Sequence, residues 1–257
     1  MSAATADTLY QDIERNGFGI LREAIPGWLL DQAAQEVRAE LAATGAEYFC
    51  HLGQERLART SLGLLGQSAA FHRLLAALQV RAGLPPGREE RILPVLRVLS
   101  GAAGQRHSHR FHFDAYLVTA LLPIIIPPGP EAARGTLVIY PNRRPVRRSL
   151  LANLAEKAAW QNPVAARALA APWVQRRLGG REMPTERGHL YLFWGYRSLH
   201  ANRPCPADVV RATALFHFAD PHAASPLLRR LEARHHRQEG VAQPVLGRSW
   251  AAAEEGS

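Results

Sequence analysis

Two hydrophobic rhythms divide this chain. Before Ile92 the apolar positions recur every three or four residues; from Ile92 onward they come in short runs cut by proline and glycine. Residues 5–16 read as a short helix, and residues 17–21 (GFGIL) as a strand. Ile25-Pro26-Gly27 then turns the chain. Between Trp28 and Ala43, Leu30, Ala34, Val37 and Leu41 share a face opposite Glu36, Arg38 and Glu40, which predicts an amphipathic helix. Phe71, Leu74, Leu75 and Leu78 mark a second helix within residues 62–82, ended by Leu84-Pro85-Pro86-Gly87.

Strands are expected at residues 92–100, 115–126, 135–140, 188–194 and 209–219, separated by punctuation such as Pro127-Pro128-Gly129-Pro130. Short strands with such breaks indicate a β-sandwich or jelly roll. Residues 149–178 interrupt the series with helical spacing at Leu151, Leu154, Ala158, Ala165, Leu169, Val174 and Leu178. They read as a helical insertion. A last helix is expected at residues 226–237, before a polar tail. The pattern predicts a mainly β chain with flanking helices (α+β), forming one domain over residues 1–240, with residues 241–257 as a mobile tail.

Composition narrows this picture. A chain of 257 residues with 47% hydrophobic and 21% charged positions suits one large globular domain. The longest apolar stretch, residues 115–128, is too short to span a bilayer and ends in prolines. The N-terminal residues lack a signal-peptide pattern, and Cys50 and Cys205 form no CxxC pair. These features predict a cytoplasmic protein with free thiols and no membrane partner. The net charge of +9 is carried almost wholly by arginine, because Lys157 is the only lysine. The arginine doublets are scattered and only 7% of residues are aromatic, so no platform for stacking nucleic-acid bases stands out. Arginine spread over a surface chiefly affects solubility and nonspecific binding; the functional reading of the excess is an anionic small-molecule substrate or nucleic acid.

The candidate chemistry begins in the stretch HSHRFHFD, residues 107–114. Residues i and i+2 of an extended segment point to the same side, so His112 and Asp114 would present an imidazole and a carboxylate together. That is two-thirds of the 2-His-1-carboxylate triad that holds non-haem iron(II) and leaves coordination positions open. With 11 histidines and few aspartates, about 0.3 such tripeptides arise by chance, so the downstream context must decide. His200 follows a strand that turns at Gly195. Arg211 then shares a strand face with Thr213, Leu215 and His217. An inward arginine carries a buried charge that calls for an anion, and a carboxylate fits its two parallel donors.

The order His112-x-Asp114, His200, Arg211 resembles the Fe(II)/2-oxoglutarate-dependent oxygenase superfamily, and within it the phytanoyl-CoA dioxygenase-like group. Gly17-Phe18-Gly19-Ile20-Leu21, Gly135-Thr136-Leu137 leading to Tyr140-Pro141-Asn142, and Gly188-x-Leu190-x-x-Phe193-x-Gly195 carry the same likeness. The resemblance implies a double-stranded β-helix, the cupin-like jelly-roll barrel. It implies Fe(II) on His112, Asp114 and His200, with Arg211 holding the distal carboxylate of 2-oxoglutarate and Thr213 assisting. It also implies hydroxylation or a related oxidation of an unactivated C–H by O₂, with release of succinate and CO₂. Asp114 argues against halogenation, because halogenating relatives carry a small residue there. The chain departs from the group's pattern at Pro141-Asn142-Arg143-Arg144, and no coenzyme A determinant is legible.

Other residues compete for roles. His109 is a candidate contact for 2-oxoglutarate, and His107, His109 and His112 could instead form a histidine-rich cupin cluster. His189 and His217 are rival distal ligands; His217 lies too far along its strand for the expected order. His235 and His236 belong to a charged helix end. Arg97 and Tyr116 are further cavity candidates. Two alternatives remain open: a nucleic-acid demethylase of the same superfamily, against which Arg203 and Arg211 have the wrong spacing, and a non-catalytic cupin-like binding module. Oligomeric state is not legible.

Overall fold

The alternation of side chains along the strands builds two sheets whose inner faces meet. The computed structural model describes residues 3–87, 90–101, 108–147 and 149–222. The expected helix at residues 226–237, with His235 and His236, the tail and His107 lie outside the described residues.

The N-terminal third is mainly helical: α1 (Ala3–Asn16), α2 (Gly27–Thr44), α3 (Gln54–Leu57), α4 (Ser61–Gly66) and α5 (Ala69–Arg81). The strands are β1 (Gly19–Leu21), β2 (Tyr48–Leu52), β3 (Leu93–Leu99), β4 (Val118–Ile125), β5 (Leu137–Tyr140), β6 (Arg181–Met183), β7 (Leu190–Trp194), β8 (Leu199–Asn202) and β9 (Arg211–Phe218). A six-stranded sheet runs β1-β7-β4-β9-β3-β2 and a three-stranded sheet runs β6-β5-β8. Their pairings are antiparallel. This two-sheet, helix-flanked core agrees with the jelly-roll expectation.

One face of the large sheet buries Leu96, Val98, Val118, Ala120, Leu122, Leu192, Trp194, Ala214, Phe216 and Phe218 against α1, α2 and α5. Burying each large apolar side chain contributes roughly 1.5–3 kcal/mol, so this is the main stabilising layer. The other face supplies Leu121, Tyr191 and Phe193 to a cluster with Leu137, Ile139 and Met183 of the small sheet. The small sheet's outer face, with Phe111 and Phe113, packs on the helical insertion through Leu169. That insertion comprises helices Leu150–Trp160, Pro163–Ala170 and Pro172–Arg177. Ser149 and Asn162 cap the first two by accepting from Ala152 and Ala165 N–H, and Pro163 opens the second. Pro123 sits in a central strand, but beyond the stretch of β4 that pairs with β7 and at a break in register with β9. Its missing N–H therefore costs no ladder bond to β7.

Three expectations need correction. The strand expected from residue 115 starts at Val118. His112 and Asp114 do not lie on a regular strand; His112 forms one isolated antiparallel bridge with His200. Residues 199–202, which lie between the expected strands 188–194 and 209–219, form β8. With four residues each at most, β6 and β8 are too short for period-2 alternation to register.

Candidate metal centre

His112 and His200 are brought together by backbone. Each N–H donates to the other's carbonyl oxygen at 3.0 Å, so both side chains leave the bridge on the inner side. Phe111 and Phe113, one step out of phase, are buried in the opposite cluster against the insertion. Asp114 N–H donates to the Gly195 carbonyl at 3.0 Å, which fixes the third side chain against the β7–β8 turn.

The side chains of His112, Asp114 and His200 form a group whose ligand atoms lie within 4.8 Å of one another. His112 Nδ1 is 2.8 Å from the Arg110 carbonyl and His200 Nδ1 is 3.0 Å from the Ser198 carbonyl. A carbonyl oxygen only accepts, so each Nδ1 carries a proton and each neutral ring offers Nε2 as its lone pair. Both Nε2 atoms point at one carboxylate oxygen: Asp114 Oδ1 is 3.5 Å from His112 and 3.4 Å from His200. Donors bound at about 2.1 Å and at right angles stand roughly 3 Å apart, so a small relaxation brings all three onto one octahedral face. The residues present therefore fit a divalent transition metal with open positions.

The electrostatics follow from burial and proximity. Burial pushes the Asp114 carboxyl up, but the neighbouring imidazoles of His200, His217 and His112 hold it well below the usual carboxylate range. Burial and the neighbouring His200 lower His112 despite Asp114. Burial lowers His200, but Asp114 and the Ser198 carbonyl together raise it overall.

Arg211 and Thr213 face the same interior and are buried. Arg211 Nη2 donates to Asn202 Oδ1 at 3.2 Å, while Nη1 is buried with no hydrogen-bond partner. Burial and nearby Arg97 push the guanidinium down to about 10, against Cys205. Gly135, at φ +68°, makes room for the arm: a Cβ there would stand 2.6 Å from Arg211 Cδ. An unpaired donor on a buried cation is an anion site in chemical terms.

The remaining candidates separate cleanly. His109 lies near Arg203; burial and that arginine lower its pKa, and its N–H donates to the Asn202 carbonyl at 2.8 Å. His189 is apart from the triad, with Nδ1 accepting from Glu23 N–H and Nε2 beside Glu186. Arg203 is bound to Glu182 and Gln175. His217 is closer to the site than its sequence position suggests. Its Nδ1 is 3.8 Å from Asp114 Oδ2, on the far side from the two histidine Nε2 atoms. Tyr116 stacks on His217 with centroids 5.6 Å apart. Thr119, Asn202 and Gly195 were not foreseen as site residues. The available signal was a lone threonine within the apolar run 115–126.

Arg144 links this centre to the insertion. Its guanidinium carbon lies 4.1 Å from the ring centroids of both Phe113 and Tyr196. Nε donates to the Tyr196 carbonyl at 2.7 Å and Nη1 to Asn153 Oδ1 at 2.7 Å.

No protein-family model matches the sequence, and no curated protein matches it. Solved structures do. A prolyl hydroxylase from Trichoplax adhaerens, in complex with a hypoxia inducible factor peptide fragment, superposes with a TM-score of 0.56 at 14% identity, covering 87% of this chain and 93% of that one. HygX from Streptomyces hygroscopicus, with nickel and 2-oxoglutarate bound, gives 0.53 at 13% identity over 83% and 86%. The epimerase SnoN, in complex with Fe3+, alpha ketoglutarate and nogalamycin RO, gives 0.53 at 16% identity over 85% of each chain. The chain shares their fold. None of its described helices is long and apolar enough to cross a membrane.

Proposed function

We propose that this protein is an Fe(II)- and 2-oxoglutarate-dependent dioxygenase that hydroxylates, or otherwise oxidises, a C–H bond of a small molecule. The observation that carries the reading is the convergence of His112 Nε2 and His200 Nε2 on Asp114 Oδ1. The unpartnered donor of Arg211 in the same interior supports it, and so does the fold shared with solved proteins that carry a metal together with 2-oxoglutarate. We read residues 1–240 as one catalytic domain.

His112, Asp114 and His200 would hold Fe(II). Arg211 would pair with the distal carboxylate of 2-oxoglutarate, helped by Thr213 and oriented by Asn202. When bound, the metal with 2-oxoglutarate and O₂ supplies the oxidising chemistry, coupled to release of succinate and CO₂. The chain itself holds the two imidazoles in one tautomer, keeps Asp114 ionised and supplies a buried cation for the co-substrate. The phytanoyl-CoA dioxygenase-like grouping rests on the sequence motifs alone.

An anionic substrate is favoured. Arg97 lies opposite Thr213 across the β3–β9 pair, on the face that carries Arg211, and its charge is felt by both His200 and Arg211. A divalent metal and a dianionic co-substrate balance, and Asp114 offsets one arginine. A negative group on the substrate would complement the positive field that Arg97 and Arg211 together set up on this face.

The test is anaerobic addition of Fe(II) and 2-oxoglutarate, followed by succinate measurement in air. The expected result is a metal-to-ligand absorption band that requires both additions and is lost in His112→Ala and Asp114→Ala. No Fe(II) binding by the wild-type protein would overturn the reading.

A further inference from the structure

The two oxygens of Asp114 are in different chemical hands. Oδ1 faces His112 Nε2 and His200 Nε2 at 3.5 and 3.4 Å. Oδ2 is 2.6 Å from Thr119 Oγ1, which is itself 3.0 Å from His217 Nδ1. Thr119 and His217 are direct cross-strand partners on β4 and β9, so the backbone register places them side by side. We propose that Thr119 is a positioning residue that restricts Asp114 to ligation through one oxygen, with His217 setting the direction of its hydroxyl. This inference rests on the oxygenase reading above.

The hydrogen-bond inventory dictates the direction of the chain. An ionised carboxylate only accepts, so the single Thr119 proton goes to Oδ2. The Thr119 oxygen is then the acceptor for His217, whose Nδ1 must carry its proton. Tyr116 stacked on the imidazole, at an interplanar angle of 26°, holds the ring in that orientation. Thr119 is fully buried, so rotating the carboxylate to chelate through both oxygens would abandon a hydrogen bond that no water replaces. The consequence concerns coordination number. Two imidazoles and one carboxylate oxygen leave three positions on an octahedral metal; a chelating carboxylate would leave two, too few for a bidentate 2-oxo acid together with O₂. Partners of this kind around a metal ligand are worth about 10–100-fold in affinity.

The experiment titrates the full-length protein anaerobically with Co(II), whose d–d absorption reports coordination number. It compares wild type, Thr119→Val, Thr119→Ser and His217→Phe, with circular dichroism to verify folding. Thr119→Val is expected to bind Co(II) about 10–100-fold more weakly with a changed d–d spectrum. Thr119→Ser should restore both, and His217→Phe, which keeps the ring stacking but loses the donor, should fall between. A folded Thr119→Val with wild-type affinity and spectrum overturns the inference. If that variant does not fold, an unchanged spectrum in His217→Phe overturns it instead. Should the wild-type protein bind neither Co(II) nor Fe(II), the oxygenase reading itself fails and this inference falls with it; tight wild-type binding with indifferent variants sinks the inference alone.

Discussion

The Cα of Gly195 and the carboxylate of Asp114 share a notch with no room for a methyl group. A Cβ on Gly195 would stand 2.1 Å from Asp114 Oδ2 and 2.3 Å from Thr119 Oγ1. The backbone at Gly195 also accepts the Asp114 N–H. Gly195→Ala should therefore act through packing, displacing the carboxylate or the turn. The expected cost is about 1–3 kcal/mol of stability, typical of overfilled sites. Denaturant unfolding would measure it, alongside a weakened Co(II) or Fe(II) affinity. An alanine variant as stable and as metal-competent as wild type would refute this picture of the notch.

Arg211→Met separates stability from co-substrate binding. The guanidinium is buried with one donor unmatched, so a flexible apolar side chain should leave the unliganded protein as stable or more so. Affinity for 2-oxoglutarate should fall by about 2–5 kcal/mol, the usual consequence of removing one member of a buried charge pair. Paired thermal melts and 2-oxoglutarate titrations in the presence of Fe(II) read the two effects independently.

Arg144→Met tests the strut between the centre and the insertion. It leaves the Tyr196 carbonyl and Asn153 without their donor, at about 1–3 kcal/mol. Limited proteolysis should then cut faster within helices Leu150–Trp160 and Pro163–Ala170. Unchanged cleavage there would show that the insertion is held by Leu169 and its apolar neighbours instead.

The buried His222, 3.0 Å from Tyr196 Oη, predicts a pH dependence. Burial lowers its pKa, Asp220 opposes, and Lys157 and Arg144 add to the lowering. The unfolded chain therefore takes up the proton first as pH falls. The His222 contribution to stability is complete above the unfolded value, about 6.5, and is lost on acidification through the folded one, at no more than about 1.4 kcal/mol per pH unit. The stability difference between wild type and His222→Gln should narrow from pH 8 to pH 5. A difference constant over that range would refute the assignment.

Much of the site was legible because strand alternation is a local rule. The i, i+2 spacing placed His112 and Asp114 on one side of Phe113, and the same rule placed Arg211 and Thr213 inward. What escaped was set by partners distant in sequence. His217 looked too far along its strand, yet the β4–β9 register carries it to Thr119 and so to the back of Asp114. Asn202 and β8 fell between the expected strands, because a four-residue strand is defined by its neighbour β5 more than by its own pattern. Gly195 stood in a recognisable motif, but only the packed structure reveals what its missing side chain accommodates.

The backbone bridge between His112 and His200 also has a temporal meaning. Its two halves are separated in the chain by β4, β5, the whole helical insertion, β6 and β7. Closing so long a loop is entropically costly and slow. His112 and Asp114 emerge during synthesis well before β8, so the nascent chain offers an incomplete donor set until the small sheet closes. A metal ion would then meet its full complement of ligands only once β8 has emerged and paired with β5.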